Sequence, residues 1–182
     1  GLVVVVQEEA TYLRAQAYLA EQQEVCQSFW KNIMHSVEQA NDLNVFLNHW
    51  VDLDSVKVIK KPVKKCVTIQ GAEYHALKQL VQTEGLTLPT LLQFAWHKLI
   101  QVYTRDTQTI VGTTVSGRAL PIADIESSVG VYINTLPLIV NWSSSTDVRT
   151  QLHAIHASLE GLNNHSAINL SALQRDGARL FH

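Results

Sequence analysis

The side chains best suited to chemistry are gathered in one stretch, Thr107 to Trp142, which reads TQTIVGTTVSGRALPIADIESSVGVYINTLPLIVNW. Arg118 sets a planar, permanently charged donor fork just after Ser116-Gly117, suited to fixing a carboxylate or bracing a loop. Tyr132, Asn134 and Thr135 supply a phenol, an amide and a hydroxyl around the end of a glycine-containing apolar run, groups that hydrogen-bond a ligand or the backbone equally well. Asp124 and Glu126 lie close enough in sequence to pair with Arg118, and Asn134 could satisfy backbone groups at a turn. The cysteines, Cys26 and Cys66, are far apart and read as free thiols of a reducing cytoplasm. His153 and His156 stand three apart without a third ligand at a suitable spacing, so no metal site is assigned.

These groups need elements to position them. Ile110 to Val115 has the composition of a strand that something approaches closely, with Gly112 inside it. Gly117 supplies a turn angle barred to other residues, and Gly130 is a second glycine in an apolar run. Pro137 donates no hydrogen bond, so Leu136 to Val140 should begin a strand or occupy an edge. Upstream, Gln7 to about Val37 predicts helix, Asn41 to Val56 exposed turns, and Val63 to Gln70 a strand. A helix from about Ala72 to Glu84 ends at Gly85.

Thr87 caps the next helix, where Leu88, Leu91, Leu92, Ala95, Trp96, Leu99, Ile100 and Tyr103 form the clearest amphipathic stripe. That stripe is expected to anchor the core, with His97 on the surface. Val148, Leu152, Ile155 and Leu159 mark another helix reaching Gly161, and Leu170 to Leu180 a short final one.

A chain of 182 residues with 46 % hydrophobic and 16 % charged content can bury a sizeable core as one soluble unit. A formal net charge of −2 gives no footprint for nucleic acid. The five lysines between Lys57 and Lys65 read as a solvated edge, with docking of a partner as the sharper alternative. Leu2 to Val6 is too short for a leader or a membrane span.

The strings GTTVSGR and IESSVGVYINTLPL, in this order and at this separation, resemble the second half of the condensation domain of nonribosomal peptide synthetases. Weaker matches are Tyr12 to Tyr18, with Arg14 in place of an acid, the pair Phe29-Trp30, and His165, Leu170 and Gln174 in an HxxxPLxxxQ-like element. Ile139 stands where a basic residue often follows NTLP. The resemblance implies an α/β chain that is one half of a chloramphenicol-acetyltransferase-like two-subdomain fold, a mixed sheet with packed helices. Residues 1–182 would be the C-terminal subdomain, cut at both ends.

The family's catalytic signature, HHxxxDG, does not occur among the eight histidines. No catalytic residue is therefore assigned, and inactivity of the chain alone is expected. Asn134, Thr135, Tyr132 and Arg118 would line a substrate tunnel or its acceptor side, with Gly117 and Gly130 as structural turns. Implied partners are the N-terminal half of the domain, peptidyl carrier proteins and adjacent synthetase domains, with no nucleic acid and no membrane. No cofactor is expected on this chain, the phosphopantetheine arm belonging to the carriers. Alternatives are a noncatalytic carrier-protein-docking or interaction module of the same fold, carrier docking being the sharper reading of the lysine cluster, and, fitting less well, a related epimerization domain. Separation from the other half should leave an apolar surface near Val129 to Leu138 that promotes self-association.

Overall fold

The computed structural model describes residues 10–37, 40–47, 50–51, 63–169 and 173. In chain order the elements are α1 (Ala10–Glu21), α2 (Gln23–His35), a 3-10 turn (Leu43–Phe46), α3 (Gly71–Glu84), α4 (Leu88–Thr104), β1 (Gln108–Val115), β2 (Asn134–Asn141) and α5 (Val148–Asn164). Local chemistry sets several of these boundaries. Gly85, at φ 64°, ends α3 in the left-handed conformation, and the Leu86 N–H reaches back to the Val81 carbonyl at 2.8 Å. Thr87 caps α4 by accepting from the Thr90 N–H, and Asp147 caps α5 by accepting from the N–H and hydroxyl of Thr150.

Strands β1 and β2 pair antiparallel from Gln108 opposite Asn141 to Val115 opposite Asn134. Asn41 fixes which groups point outward. Its amide donates to the Gln108 carbonyl at 2.8 Å and accepts from the Ile110 N–H at 2.8 Å, replacing a neighbouring strand on the outer edge of β1. Because backbone direction alternates, the even-numbered residues of β1 face away from β2, and so does their row of partners on β2. Pro137, opposite Gly112, therefore falls where its missing N–H costs the ladder nothing.

The main core joins Cys26 and Trp30 of α2, Ile110 and Val115 of β1, Leu136, Leu138 and Val140 of β2, and Ile155 and Leu162 of α5. Trp30 is fully buried and donates its indole N–H to the His165 carbonyl at 2.8 Å, while Phe29 stacks on the His165 ring. Burial also pushes the Cys26 thiol pKa up, as expected of an inert core thiol.

Several expectations from sequence are corrected. Val63 to Gln70 is not a strand: it has no regular structure and is exposed along its length, with Val67 at 92 %. A strand needs a neighbour's backbone, and this segment pairs with neither β1 nor β2. Asn41 is not an exposed turn residue but a buried bridge, also bonded to Asp106 at 2.7 Å. α5 runs through Gly161 to Asn164 and buries Gln151, Leu152, Ile155 and Leu162, leaving Val148 exposed. Leu2 to Val6, the segment Leu170 to Leu180 apart from the helical Leu173, and Lys57, Lys60 and Lys61 lie outside the described residues.

The largest correction concerns α4. Its buried residues are Thr90, His97 and Ile100, whereas Leu92, Trp96, Leu99 and Tyr103 are exposed. His97 is fully buried rather than on the surface, with Nδ1 2.8 Å from Thr109 Oγ1, which also accepts the Trp142 indole N–H at 2.8 Å. With the indole on one lone pair, the Thr109 hydroxyl proton is best used toward Nδ1 of a neutral imidazole, placing the His97 proton on Nε2. Nε2 and Gln93 Oε1, one helical turn earlier, are both buried without a partner, a donor and an acceptor that one bridging water would satisfy.

Burial lowers the His97 pKa from 6.5 to about 4, and the bond to Thr109 offsets this only in part. The folded state therefore binds fewer protons than the unfolded chain between these values. Stability is full above about pH 6.5 and declines as pH falls toward 4, by about 3 kcal/mol in all. Urea midpoints measured across this range should fall steeply for the wild type and less steeply for His97→Gln. Equal slopes in the two proteins would show that His97 does not carry the acid sensitivity.

Candidate functional site

Beyond β1 the chain turns at Ser116-Gly117-Arg118, with the Arg118 N–H 3.3 Å from Ser116 Oγ. Gly117 has φ 64°, and a Cβ built on it would lie 2.0 Å from the Tyr132 carbonyl oxygen. Two features thus require glycine here: the left-handed angle and the close approach of the segment leading into β2. Arg118 then reaches across the intervening loop. Its Nη1 donates to the carbonyls of Ile125 and Ser128, the latter at 2.9 Å, and its guanidinium lies 4.3 Å from the Tyr132 ring centroid.

Tyr132 is the centre of this arrangement. Its hydroxyl meets Ser128 Oγ at 2.6 Å, and its ring meets the edge of Tyr12 at a centroid distance of 5.4 Å. Ala15, Ile125 and Tyr132 form a small separate core, flanked by Tyr12, Leu120 and Ile122. Gly130 makes room for Tyr12, whose ring would lie 2.3 Å from an added Cβ. Val129, Val131 and Ile133 point outward at 80 %, 80 % and 68 % exposure, whereas Leu136 to Leu138 are buried. The apolar surface expected over Val129 to Leu138 is confined to its first half.

Arg118 holds main-chain carbonyls, not the carboxylate of Asp124 or Glu126. Asn134, at the start of β2, donates through Nδ2 to the carbonyls of Ser166 and Ile168 at 3.0 and 2.7 Å and accepts from the Thr135 N–H at 2.8 Å. The structure thus brings Arg118, Tyr132, Gly117 and Gly130 together as one braced loop. Asn134 ties the start of β2 to the segment after α5, with Thr135 half-buried beside it. Sequence reasoning missed Ser128, for which only its spacing of four from Tyr132 was a signal.

Elsewhere, His153 and Arg149 share Glu84 across α3 and α5, and His156 Nδ1 lies 3.0 Å from Thr90 Oγ1. Desolvation raises the Glu84 carboxyl pKa, but the hydrogen bonds and charges of His153 and Arg149 together outweigh it and hold the group below its ordinary value. No group of three or more metal-ligating side chains occurs among the described residues. Among the same residues no helix is long and apolar enough to cross a membrane.

The family model described as "Condensation domain" matches residues 6–180. The chain belongs to the condensation-domain family. It is 33 % identical over 171 residues to the N-(5-amino-5-carboxypentanoyl)-L-cysteinyl-D-valine synthase of Penicillium rubens (strain ATCC 28089 / DSM 1075 / NRRL 1951 / Wisconsin 54-1255), covering 90 % of this chain and 5 % of that protein. The synthase of the same name from Amycolatopsis lactamdurans is 30 % identical over 169 residues, again covering 90 % of this chain and 5 % of the relative.

Among solved structures, the first condensation domain of the calcium-dependent antibiotic synthetase in complex with substrate analogue 3a superposes with a TM-score of 0.69 at 16 % identity, covering 93 % of this chain and 36 % of that one. A second structure of the first condensation domain of the CDA synthetase gives 0.68 at 14 % identity, with 100 % and 39 % covered. These likenesses establish the condensation-domain fold, of the chloramphenicol-acetyltransferase-like kind. The condensation-domain chain described here spans about 5 % of the length of the curated relatives it matches.

Gly117 provides a test of the site's construction. A side chain there meets both an unfavourable angle and the Tyr132 carbonyl, whereas one at Gly85, φ 64°, meets only the angle because nothing lies within 4 Å. Gly85→Ala should cost about 1 kcal/mol and Gly117→Ala about 2–3 kcal/mol or more, read from urea midpoints. Equal losses would show that the approach of Tyr132 is not a constraint.

Proposed function

We propose that this chain is the C-terminal subdomain of a nonribosomal peptide synthetase condensation domain and forms one wall of the channel in which an amide bond is made. The observation that carries this reading is the match to the condensation-domain family along residues 6–180. In the reaction, the amine nitrogen of an aminoacyl group on one carrier protein attacks the thioester carbonyl carbon of an acyl group on another. The C–N bond forms as the C–S bond breaks, and the proton lost by nitrogen ends on the released thiol of the donor's phosphopantetheine arm. Such a step needs a proton-handling group near the amine, donors for the tetrahedral oxyanion and exclusion of water.

The chain has no HHxxxDG string, so the proton-handling group is proposed to come from the N-terminal half of the domain. The contribution of this half is shape. Arg118 and Tyr132 set the course of the loop, and Asn134 and Thr135 stand at the start of β2 on the acceptor side. Since the polar ends of Arg118 and Asn134 are engaged by main-chain groups, both are assigned here as positioning residues. One guanidinium nitrogen serves two carbonyls while the planar group lies against a ring face, a combination a lysine ammonium does not reproduce.

Two measurements test the reading. Incubated with loaded donor and acceptor carrier proteins, this chain alone should give no condensed product by intact mass, and product above the enzyme-free background would overturn the assignment of the reacting group to the other half. In an intact synthetase containing this domain, Arg118→Lys should lower the rate of condensation about tenfold, equivalent to ~1.4 kcal/mol in the barrier. The chemical step would keep its pH profile, because a positioning residue does not titrate in the reaction. An unchanged rate would remove Arg118 from the channel wall.

A further inference from the structure

α4 presents its apolar stripe to solvent. Leu92, Trp96, Leu99 and Tyr103 follow at spacings of four, three and four, so at about 100° per residue they fall within a wedge of about 60°. Leu92 is 64 % exposed, Trp96 55 %, Leu99 42 % and Tyr103 56 %. The core-facing side of α4 carries Thr90 and His97, roughly opposite the stripe, with Ile100 buried at its edge. Phe46, whose ring centroid lies 4.9 Å from that of Tyr103, extends the stripe at one end. On the core side Leu88, Leu91 and Phe94 also pack against buried clusters, so α4 has one apolar side in contact and a second left open, unlike a surface helix on a finished domain.

We propose that this face of α4 seats an amphipathic helix from the portion of the same condensation domain that lies outside this chain. The proposal rests on the functional reading above for its partner, and on three observations for the occupant. First, alternating spacings of four and three average 3.5 residues, the seam along which a second helix lies at about 20°, whereas an added strand would require exposed backbone groups. Second, the stripe carries no charge. Lys98, the cation of α4, is turned to Trp142, 5.0 Å from its ring centroid, and to Gln101, so nothing in the stripe selects an anionic membrane surface. Third, the fold matches a solved condensation-domain chain over 93 % of this chain but only 36 % of that one, leaving most of that chain's length without a counterpart here. A second copy would cover the stripe only where the rest of the domain does not.

The test uses an intact synthetase containing this domain, with a benzophenone amino acid placed in turn at Leu92, Trp96 and Tyr103, and at Glu73 on the exposed side of α3 as the control. Irradiation followed by peptide mapping should give intramolecular crosslinks from the three α4 positions, several-fold more abundant than from Glu73. They should end in a helical segment of the same condensation domain outside residues 1–182. Crosslinks to another copy, to lipid, to a separate protein or to residues within 1–182 would overturn the proposal, and so would yields no higher than the Glu73 control at all three positions. Condensation by the unirradiated proteins is assayed in parallel. Its absence would count against the functional reading, while the crosslink map alone decides the occupant of α4.

Discussion

An isolated two-stranded ribbon is barely stable in water, so the pairing of β1 with β2 constrains what every other described element must do. Asn41 completes the outer edge of β1 with one side chain, supplying both an acceptor and a donor where a third strand would otherwise be needed. The Gln108 amide adds bonds to the Ser36 carbonyl and Asn141 Oδ1, tying the end of α2 to both strands. At the other end of the ribbon Asn134 ties β2 to the carbonyls of Ser166 and Ile168. On the faces, α2 and α5 contribute Trp30, Ile155 and Leu162 against Leu136 and Leu138. Hydrogen bonds fix register and edges, while the larger energy comes from apolar area: a fully buried side chain of this size contributes about 1.5–3 kcal/mol.

The loop between the strands inherits its order from that ribbon. Register places Val115 opposite Asn134, so the segment leaving β1 and the segment entering β2 must run close together, and Gly117 passes under the Tyr132 carbonyl without a side chain. Arg118 closes the remaining turn from inside, its charge spread over carbonyl oxygens and a ring face instead of a carboxylate. A charged fork bonded to neutral acceptors does not depend on the ionisation of Asp124 or Glu126. The result is a loop held at a fixed distance from α1 through Tyr12 and Gly130, with Val129, Val131 and Ile133 left facing outward.

Elements whose boundaries depend on local chemistry were legible in the sequence. Thr87 before α4, Gly85 after α3 and the β-branched run of β1 each act within a few residues of themselves. The condensation-domain resemblance was legible in SGR and VGVYINTLP because those residues make the Gly117 turn and the Tyr132 and Asn134 contacts that the fold requires. What was not legible depended on distant partners. Asn41 reads as a turn residue until β1 arrives at its amide, sixty-nine positions away at Ile110. His97 reads as a surface residue until Thr109 and the strand behind it exclude water. Val63 to Gln70 has the alternation of a strand, but alternation describes only the faces and supplies no neighbour for the backbone.

The failure at α4 has a different origin. The predicted stripe divides in the structure: Ile100 is buried and Leu88 and Leu91 pack against a buried cluster, whereas Leu92, Trp96, Leu99 and Tyr103 share the exposed side. The error lay in equating the apolar side with the inward one, a step valid only where the described residues contain everything that the helix packs against. Here the inward side is lined by Thr90, His97 and Ile100 and is made compatible with burial by specific bonds: Thr90 to His156, and His97 to Thr109. A helix that satisfies polar groups on one side and exposes aromatic rings on the other is designed for contact on both. Its hydrogen-bonded side sets orientation against β1 and α5, and its apolar side supplies the area that association requires. The same division holds at the loop, where Tyr132 is turned in and bonded while Val131 and Ile133 on either side of it are turned out. In both places polar contacts within the chain decide which way the apolar residues face, and those residues are left where a further part of a condensation domain can cover them.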